Sequence, residues 1–301
     1  MTEETKINYV ICADIGGSHI TAAMIDLRNW SIVDGSYTRM IVNSKGSKAD
    51  VLSTWIAALK NTSVGSGQSA QHIALAMPGP FDYENGISYI TGLNKYEAIY
   101  GLNIKQYISE EMGLEPKNIR FRNDAEATIA GEAMAGAGVG FENVMGVTLG
   151  TGFGSAQYRD GQTKDLNLGG QSFKDSIADN YLSTRWFLKR YYELTGLSVV
   201  GVHELAELAP ISQTSKGIFK EFAVNMSDLL MDPVFLLKPD VLILCGNIAK
   251  ASGLFLPQLW KRLNITIKLA QLGETAALIG AAALFDSVQV NGELNQLKSA
   301  R

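Results

Sequence analysis

Two segments of the chain follow the same order, and this recurrence limits the fold more than any other feature of the sequence. Near residue 14, and again near residue 150, an apolar run is followed by a glycine turn and then by a second strand-like run. The first turn is Ile15-Gly16-Gly17-Ser18 and the second is Leu149-Gly150-Thr151-Gly152. Apolar runs on both sides of a short turn predict two hairpins of the same kind within one chain.

The rest of the chain alternates between strand-like and helical patterns. Short apolar runs predict strands at residues 72–76, 118–122, 144–149 and 241–244. Apolar residues at helical spacing predict helices at residues 51–59, 104–112, 125–137, 183–194 and 276–285. Strands that alternate with helices are typical of an α/β protein.

Composition excludes several classes of function. The 301 residues include 26 basic and 30 acidic side chains, and no basic run is long enough for an extended nucleic-acid surface. The apolar run at residues 276–285 is too short to span a membrane, and residues 1–8 lack the features of a signal peptide. Two cysteines and three histidines exclude a disulfide framework, and their positions exclude a metal site of four Cys or His ligands at the usual spacing. We therefore expect a cytoplasmic protein that binds neither nucleic acid nor membrane.

The glycine turns are candidate phosphate sites. Glycines allow backbone N–H groups to approach phosphate oxygens closely, and the Ser18 hydroxyl can add a hydrogen bond. Asp14 ends the strand before the first turn, where it can hold Mg²⁺ directly or through water. A simple hairpin turn remains the alternative for either turn taken alone. A dinucleotide fingerprint does not fit, because residue 155 is Ser and the run after it resembles a strand, and no Walker loop occurs.

The candidate catalytic residue is Asp124. It follows a predicted strand and opens an alanine-rich helix, a position where α/β sheets place ligands. A carboxylate there can act as the general base that takes a proton from a substrate hydroxyl during phosphoryl transfer. Asn123 can both donate and accept, which suits a sugar hydroxyl. The alternative is that one of these two residues merely caps the helix.

Taken together, these segments resemble the ROK family of sugar kinases, within the actin, hexokinase and Hsp70 superfamily. The similar motifs occur in family order from residue 10 to about residue 285. They are Asp14-Ile15-Gly16-Gly17-Ser18, Pro78-Gly79-Pro80-Phe81-Asp82, Gly92-Leu93-Asn94, Asn123-Asp124-Ala125, Gly150-Thr151-Gly152-Phe153-Gly154, residues 238–247 and Ala277-Leu278-Ile279-Gly280-Ala281-Ala282.

The resemblance implies two actin-like (ribonuclease H-like) α/β domains with a cleft between them. It places the smaller domain at residues 1–122 and the larger at 123–301, and leaves room for the last helix to pack back on the first domain. It also implies an ATP-dependent, glucokinase-like enzyme that uses MgATP, phosphorylates a hexose or an N-acetylhexosamine, and forms a homodimer. In this scheme the sugar-binding residues are Gly79, Asn94 and Asn123, the base is Asp124, the phosphate-facing residues are Gly16, Gly17, Ser18, Gly150, Thr151 and Gly152, and Gly246 lies near the adenosine.

The chain departs from the family pattern where many members bind zinc. Gln171 stands in place of a sugar-binding glutamate, Lys174 in place of a zinc-binding histidine, and Asp179 in place of a second glutamate. The cysteine loop is missing, so we expect no zinc and assign Gln171 and Asp179 to sugar binding. A non-catalytic sugar or nucleotide sensor is the alternative function. The family's DNA-binding repressors are a third alternative, which the position of Asp14 near the amino terminus disfavours.

Overall fold

The computed structural model describes residues 7–286, so most of the polar amino-terminal segment and residues 287–301 lie outside the described part. The strands are β1 (Tyr9–Ile15), β2 (His19–Asp26), β3 (Ser31–Ile32), β4 (Thr38–Ile41), β5 (Ile73–Met77), β6 (Phe81–Asp82), β7 (Ile87–Ser88), β8 (Ile119–Asn123), β9 (Asn143–Leu149), β10 (Phe153–Arg159), β11 (Gln162–Asp165), β12 (Ser172–Phe173), β13 (Ser176–Ile177), β14 (Val241–Cys245) and β15 (Ile267–Leu269). The helices are α1 (Lys48–Ser66), α2 (Ile104–Met112), α3 (Asp124–Ala135), α4 (Asp179–Leu182), α5 (Thr184–Thr195), α6 (Val202–Leu208), α7 (Gln213–Leu237), α8 (Leu256–Leu263) and α9 (Thr275–Ala282).

The chain divides into two compact units. Unit 1 contains the described residues up to Ala135 together with those from Glu274 onward, and unit 2 contains residues 136–273. The sequence placed a boundary after residue 122, whereas unit 1 continues through α3; the last helix, α9, belongs to unit 1, as the sequence analysis allowed. The physical reason is that α3 packs against α9, and α9 in turn packs on β1 and β5.

Unit 1 is built on a six-stranded sheet in the order β3-β2-β1-β5-β8, with β4 also paired to β2. β1 and β2 form the predicted antiparallel hairpin, while β1, β5 and β8 run parallel. Parallel neighbours need long crossovers, and α1 and α2 provide them. The sequence starts α1 with a capping box between Ser47 and Asp50 and ends it at Gly67 in the left-handed conformation.

A close helix crossing fixes the start of α3. A Cβ on Gly280 would lie 1.7 Å from the Ala127 carbonyl oxygen, and a Cβ on Gly131 would lie 2.0 Å from that of Ala276. Only glycine allows the two backbones to approach this closely. The crossing therefore sets the position of Asp124, the first residue of α3.

Unit 2 repeats the topology of unit 1. Its five-stranded sheet has the order β11-β10-β9-β14-β15, with an antiparallel β9–β10 hairpin and β14 parallel to both β9 and β15. Helices α4 to α8 cover it around buried aromatic side chains, among them Phe187, Phe219 and Phe222. The recurrence in the sequence therefore corresponds to the same strand–turn–strand unit, followed by a parallel strand, in each sheet.

Candidate functional site

The parallel strands of unit 1 bring the candidate residues to one edge of the sheet. Asp14 near the end of β1 pairs with Ala76 in β5, and Met77 at the end of β5 pairs with Asn123 at the end of β8. Because parallel strands end on the same side, the residues after them meet there. Asp14 and Asp124 accordingly lie at the same edge.

The electrostatics at this edge are dominated by carboxylates. Asp14 is largely desolvated, and this burial, together with the charges of Asp124 and Glu274, raises its pKa from 3.8 to about 7, although Arg39 opposes the shift. Arg39 forms an ion pair with Glu274. Arg39 is also in register with Thr21, which is itself paired with Asp14. The charges that act on Asp14 there are the carboxylates of Asp124 and Glu274 and the guanidinium of Arg39.

The first glycine turn connects β1 to β2, and two side-chain hydroxyl groups donate hydrogen bonds to its backbone carbonyls. The Tyr96 Oη donates to the Gly16 carbonyl at 2.5 Å, and the Ser44 Oγ donates to the Gly17 carbonyl at 2.5 Å. Within residues 7–286 no hydrogen bond is formed by the backbone N–H of Gly17 or Ser18, and both residues are exposed. Two adjacent N–H groups of this kind can bind an anion such as a phosphate.

Asn123 is the N-cap of α3. Its Oδ1 accepts from the backbone N–H groups of Ala125 at 2.9 Å and Glu126 at 3.2 Å. The capping interpretation is therefore correct for Asn123. Capping does not use the whole amide. Among the described residues, Nδ2 donates one hydrogen bond, to the Tyr83 hydroxyl at 3.1 Å, and this uses one of its two hydrogens.

The remaining predicted residues of unit 1 lie on neighbouring loops. Gly79 follows β5, and a Cβ there would lie 3.3 Å from the Tyr83 hydroxyl, so it adjoins the same tyrosine as Asn123. Asn94 is exposed and has a left-handed φ of 57°, and its backbone N–H donates a 3.1 Å hydrogen bond to Glu97 Oε1. Its loop continues into Tyr96, which binds the first glycine turn. The structure therefore brings Asn94 and the first turn to one region.

The second glycine turn connects β9 to β10 in unit 2. Its Gly150 N–H donates across the turn to the Gly152 carbonyl at 3.1 Å, and Thr151 and Gly152 are exposed. Gly246 follows β14 with a φ of 89°, and a Cβ there would lie 2.3 Å from the Leu149 carbonyl oxygen. The predicted Gly246 therefore lies directly beside the start of the second turn.

Gln171 and Asp179 flank a small hairpin formed by β12 and β13. Gln171 is exposed, and its backbone bonds join it to Leu168 and Ala178. Lys174 in the hairpin donates to Asn225 Oδ1 at 2.6 Å, and its Nζ lies 5.1 Å from the centre of the Tyr181 ring. The Lys174 ammonium group thus connects the hairpin to α7 and α4, at the position where many members of the family have a zinc-binding histidine.

Asp179 contacts the second glycine turn. Its Oδ1 accepts from the Phe153 N–H at 2.6 Å, and its Oδ2 is paired with Arg185. Sequence reasoning missed this contact and those of Ser44, Tyr96 and Thr184 with the two turns. Each of these residues is distant in sequence from the turn that it contacts, and the residues around it give no sign of that contact.

Residues 7–286 contain neither a cluster of candidate metal ligands nor a candidate membrane span. In this range no group of three or more His, Cys, Asp or Glu side chains is arranged to hold a metal ion. None of the helices in this range is both long and apolar enough to cross a bilayer.

Sequence comparison finds relatives that match nearly the whole chain. The model of the ROK family matches residues 10–165. A glucokinase of Thermotoga maritima is 22% identical over 322 residues, covering 91% of this chain and 96% of the relative. An N-acetyl-D-glucosamine kinase of Mannheimia succiniciproducens is 24% identical over 314 residues, covering 90% and 97%.

Solved structures show the same fold. A ROK hexokinase from Thermus thermophilus superposes with a TM-score of 0.80 at 21% identity, covering 94% of this chain and 99% of that one. A ROK family glucokinase from Streptomyces griseus, in complex with glucose and AMPPNP, gives a TM-score of 0.72 at 22% identity, with coverage of 92% and 98%. The predicted α/β architecture of two actin-like domains is therefore confirmed.

Proposed function

Because the chain belongs to the ROK family, we propose that it is an ATP-dependent sugar kinase that phosphorylates a hydroxyl of a hexose or an N-acetylhexosamine. The observation that carries the proposal is the pair of carboxylates, Asp14 and Asp124, at the edge of unit 1, beside a turn whose Gly17 and Ser18 N–H groups form no hydrogen bond with the described residues. The two sugar classes follow from the relatives, which are a glucokinase and an N-acetyl-D-glucosamine kinase.

Asp124 serves as the general base in this proposal. The sugar hydroxyl gives its proton to the Asp124 carboxylate as its oxygen attacks the γ-phosphorus of ATP. Asn123 donates its remaining amide hydrogen to a sugar hydroxyl, and Gly79 and Asn94 line the same side. Within unit 2, the exposed Gln171 is the residue that we assign to sugar binding. Because Asn123 is held by the helix it caps, its amide is fixed before the sugar arrives.

Asp14 and the glycine turns serve the nucleotide. Mg²⁺ is commonly bound by one or two carboxylates together with substrate phosphates, and a half-buried carboxylate among other carboxylates, such as Asp14, fits that role, directly or through water. Mg²⁺, when bound, neutralises charge on the phosphate oxygens. In unit 1 the N–H groups of Gly17 and Ser18 bind phosphate oxygens, and in unit 2 the Gly150–Gly152 turn is assigned the same task. Gly246, packed against the Leu149 backbone beside the second turn, is assigned a position near the adenosine.

The proposal is tested by a coupled assay of ADP release. Glucose, mannose, fructose, N-acetylglucosamine and N-acetylmannosamine are each supplied with MgATP, and at least one is expected to stimulate ADP formation well above the sugar-free rate. If ATP binds but no sugar stimulates ADP formation, a sensor function replaces the kinase.

The role of Asp124 is tested by Asp124→Asn. Loss of a general base lowers the rate by about 10²- to 10⁴-fold, whereas the affinity for sugar is expected to stay within about threefold. Glu126→Gln is the matched control, because it removes a carboxylate from the same helical turn but from a different face. Near-normal turnover by Asp124→Asn would show that another group accepts the proton.

A further inference from the structure

The second glycine turn is fastened to the start of α5 by one residue. Thr184 donates to the Gly150 carbonyl twice, from its backbone N–H at 2.8 Å and from its Oγ1 at 2.9 Å. A carbonyl oxygen has two lone pairs, so the two donors satisfy it fully. The first residue of the turn is therefore held from the side of α5.

Asp179 at the start of α4 fastens the other end of the turn. Its Oδ1 accepts the Phe153 N–H at 2.6 Å and would lie 3.1 Å from a Cβ placed on Gly152. The carboxylate thus lies directly against the turn, and a side chain at residue 152 would press on it. Asp179 is only partly buried, and its second oxygen is taken up by Arg185.

These anchors determine which groups of the turn remain available. The carbonyl of Gly150 and the N–H of Phe153 are used by the anchors, and the Gly150 N–H is used across the turn. The N–H groups of Thr151 and Gly152 form no hydrogen bond with any residue from 7 to 286, and both residues are exposed. The turn is held by its inner groups, and two consecutive N–H groups are left for an anion.

Asp179 is a carboxylate next to a turn that is proposed to bind an anion, and Arg185 forms an ion pair with it. An unpaired Asp179 would repel the phosphate that the turn is proposed to bind. Its ion pair with Arg185 offsets part of that charge while leaving Oδ1 as an acceptor for the Phe153 N–H. The Asp179–Arg185 pair therefore provides a carboxylate acceptor for the turn with less negative potential near the phosphate than an unpaired Asp179 would create.

We propose that Thr184 and Asp179 are positioning residues for the nucleotide, which hold the second turn so that the Thr151 and Gly152 N–H groups bind its phosphate oxygens. The proposal rests on the proposed function, since it assumes that ATP is the phosphoryl donor. In this proposal Asp179 positions the turn, whereas the sequence analysis assigned it to binding sugar hydroxyls. The two roles predict losses of affinity for different ligands.

The test measures the affinity for each ligand separately, without turnover. The Kd of a fluorescent N-methylanthraniloyl-ADP with Mg²⁺ and the Kd of the best sugar from the kinase assay, or of glucose if none is turned over, are measured for each variant. Thr184→Val keeps the shape of the side chain and the backbone N–H but removes the hydroxyl. We expect it to weaken nucleotide binding about three- to tenfold, in line with the loss of one hydrogen bond, and to leave sugar binding unchanged.

Matched variants separate positioning from general damage to the fold. Thr195→Val removes a 2.8 Å hydrogen bond from a threonine hydroxyl to a backbone carbonyl at the other end of α5, and should leave both affinities unchanged. Thr184→Ser restores the hydroxyl and should restore nucleotide affinity. Asp179→Asn keeps an oxygen for the Phe153 N–H and should bind nucleotide better than Asp179→Ala does.

The outcomes distinguish this proposal from the kinase proposal. If nucleotide binds and responds to Thr184→Val but no sugar is phosphorylated, positioning holds and the kinase function fails. If Thr184→Val and Asp179→Ala bind nucleotide like the parent, or if Asp179→Ala loses affinity only for the sugar, the positioning role is wrong. Failure of the parent chain to bind the labelled ADP also overturns it.

Discussion

Replacing Asp14 with asparagine should stabilise the protein at alkaline pH, although it removes a residue proposed for Mg²⁺ binding. The pKa of Asp14 lies at about 7 in the folded chain and near 3.8 when the chain is unfolded. Between those values the folded state holds a proton that the unfolded state has released, so stability falls as pH rises from about 4 to about 7. Above pH 7 the folded chain carries a buried negative charge.

The magnitude follows from the size of the shift. A difference of roughly three pKa units, at 1.36 kcal/mol for each unit, corresponds to about 4 kcal/mol. Asp14→Asn never carries the charge, so it should be more stable than the parent by up to about 4 kcal/mol at pH 8 and similar to it near pH 4. Hydrogen exchange of the β1 and β5 amides, measured in EDTA from pH 5 to pH 8, reports the free energy of opening of this sheet.

Asp26→Asn is the matched control on the same hairpin. Hydrogen bonds from Arg28 hold the pKa of Asp26 below its usual value, so the folded state favours the charged form. Its contribution is present above the unfolded pKa and is lost as pH falls through the folded pKa. Asp26→Asn should therefore destabilise the sheet at pH 8. If Asp14→Asn gains no stability between pH 5 and pH 8, the carboxylate is not desolvated in the folded chain and the reasoning fails.

Three further predictions concern the supports of the site. Tyr96→Phe removes the hydroxyl that binds Gly16 and should weaken the binding of labelled ADP about three- to tenfold, whereas Tyr89→Phe, on an exposed ring, should not. Gly280→Ala places a Cβ 1.7 Å from a backbone oxygen, so it should lower the free energy of unfolding by about 1–3 kcal/mol or more. Gly217→Ala, whose Cβ meets no atom within 4 Å, should raise the free energy of unfolding by about 0.5–1 kcal/mol. Denaturant titrations measure both changes. Asn123→Ala removes the cap of α3, so it should lower the free energy of unfolding by about 1 kcal/mol and also weaken sugar binding. Asn123→Ser should recover most of the stability, measured by unfolding, but not the affinity for sugar, measured by calorimetry.

The sequence predicted the edge of the first sheet well because the signals are local. Each candidate there stands where an apolar strand meets a polar or glycine residue, as Asp14 does before Gly16 and as Asn123 does before α3. Parallel strands place such junctions on one edge, so strand ends were enough to bring Asp14 and Asp124 together.

The supports of the site could not be predicted in the same way. Tyr96 binds a glycine 80 residues earlier in the chain, and Thr184 binds one 34 residues earlier. A tyrosine or threonine in a loop or at a helix start has many ordinary uses, so its type does not reveal its partner. The boundary between the units was also hidden, because it depends on the α3–α9 contact and on no break in composition.

The assembly of unit 1 from two separated segments affects how the protein folds during synthesis. Residues 136–273 form one continuous unit, and their core can close as soon as they leave the ribosome. The first sheet emerges earlier but lacks α9, which covers β1 and β5, until translation has passed residue 282. For most of synthesis, therefore, the nascent chain exposes the apolar surface of β1 and β5 that α9 later covers. We expect slow translation or early termination to leave this surface open to chaperones or aggregation.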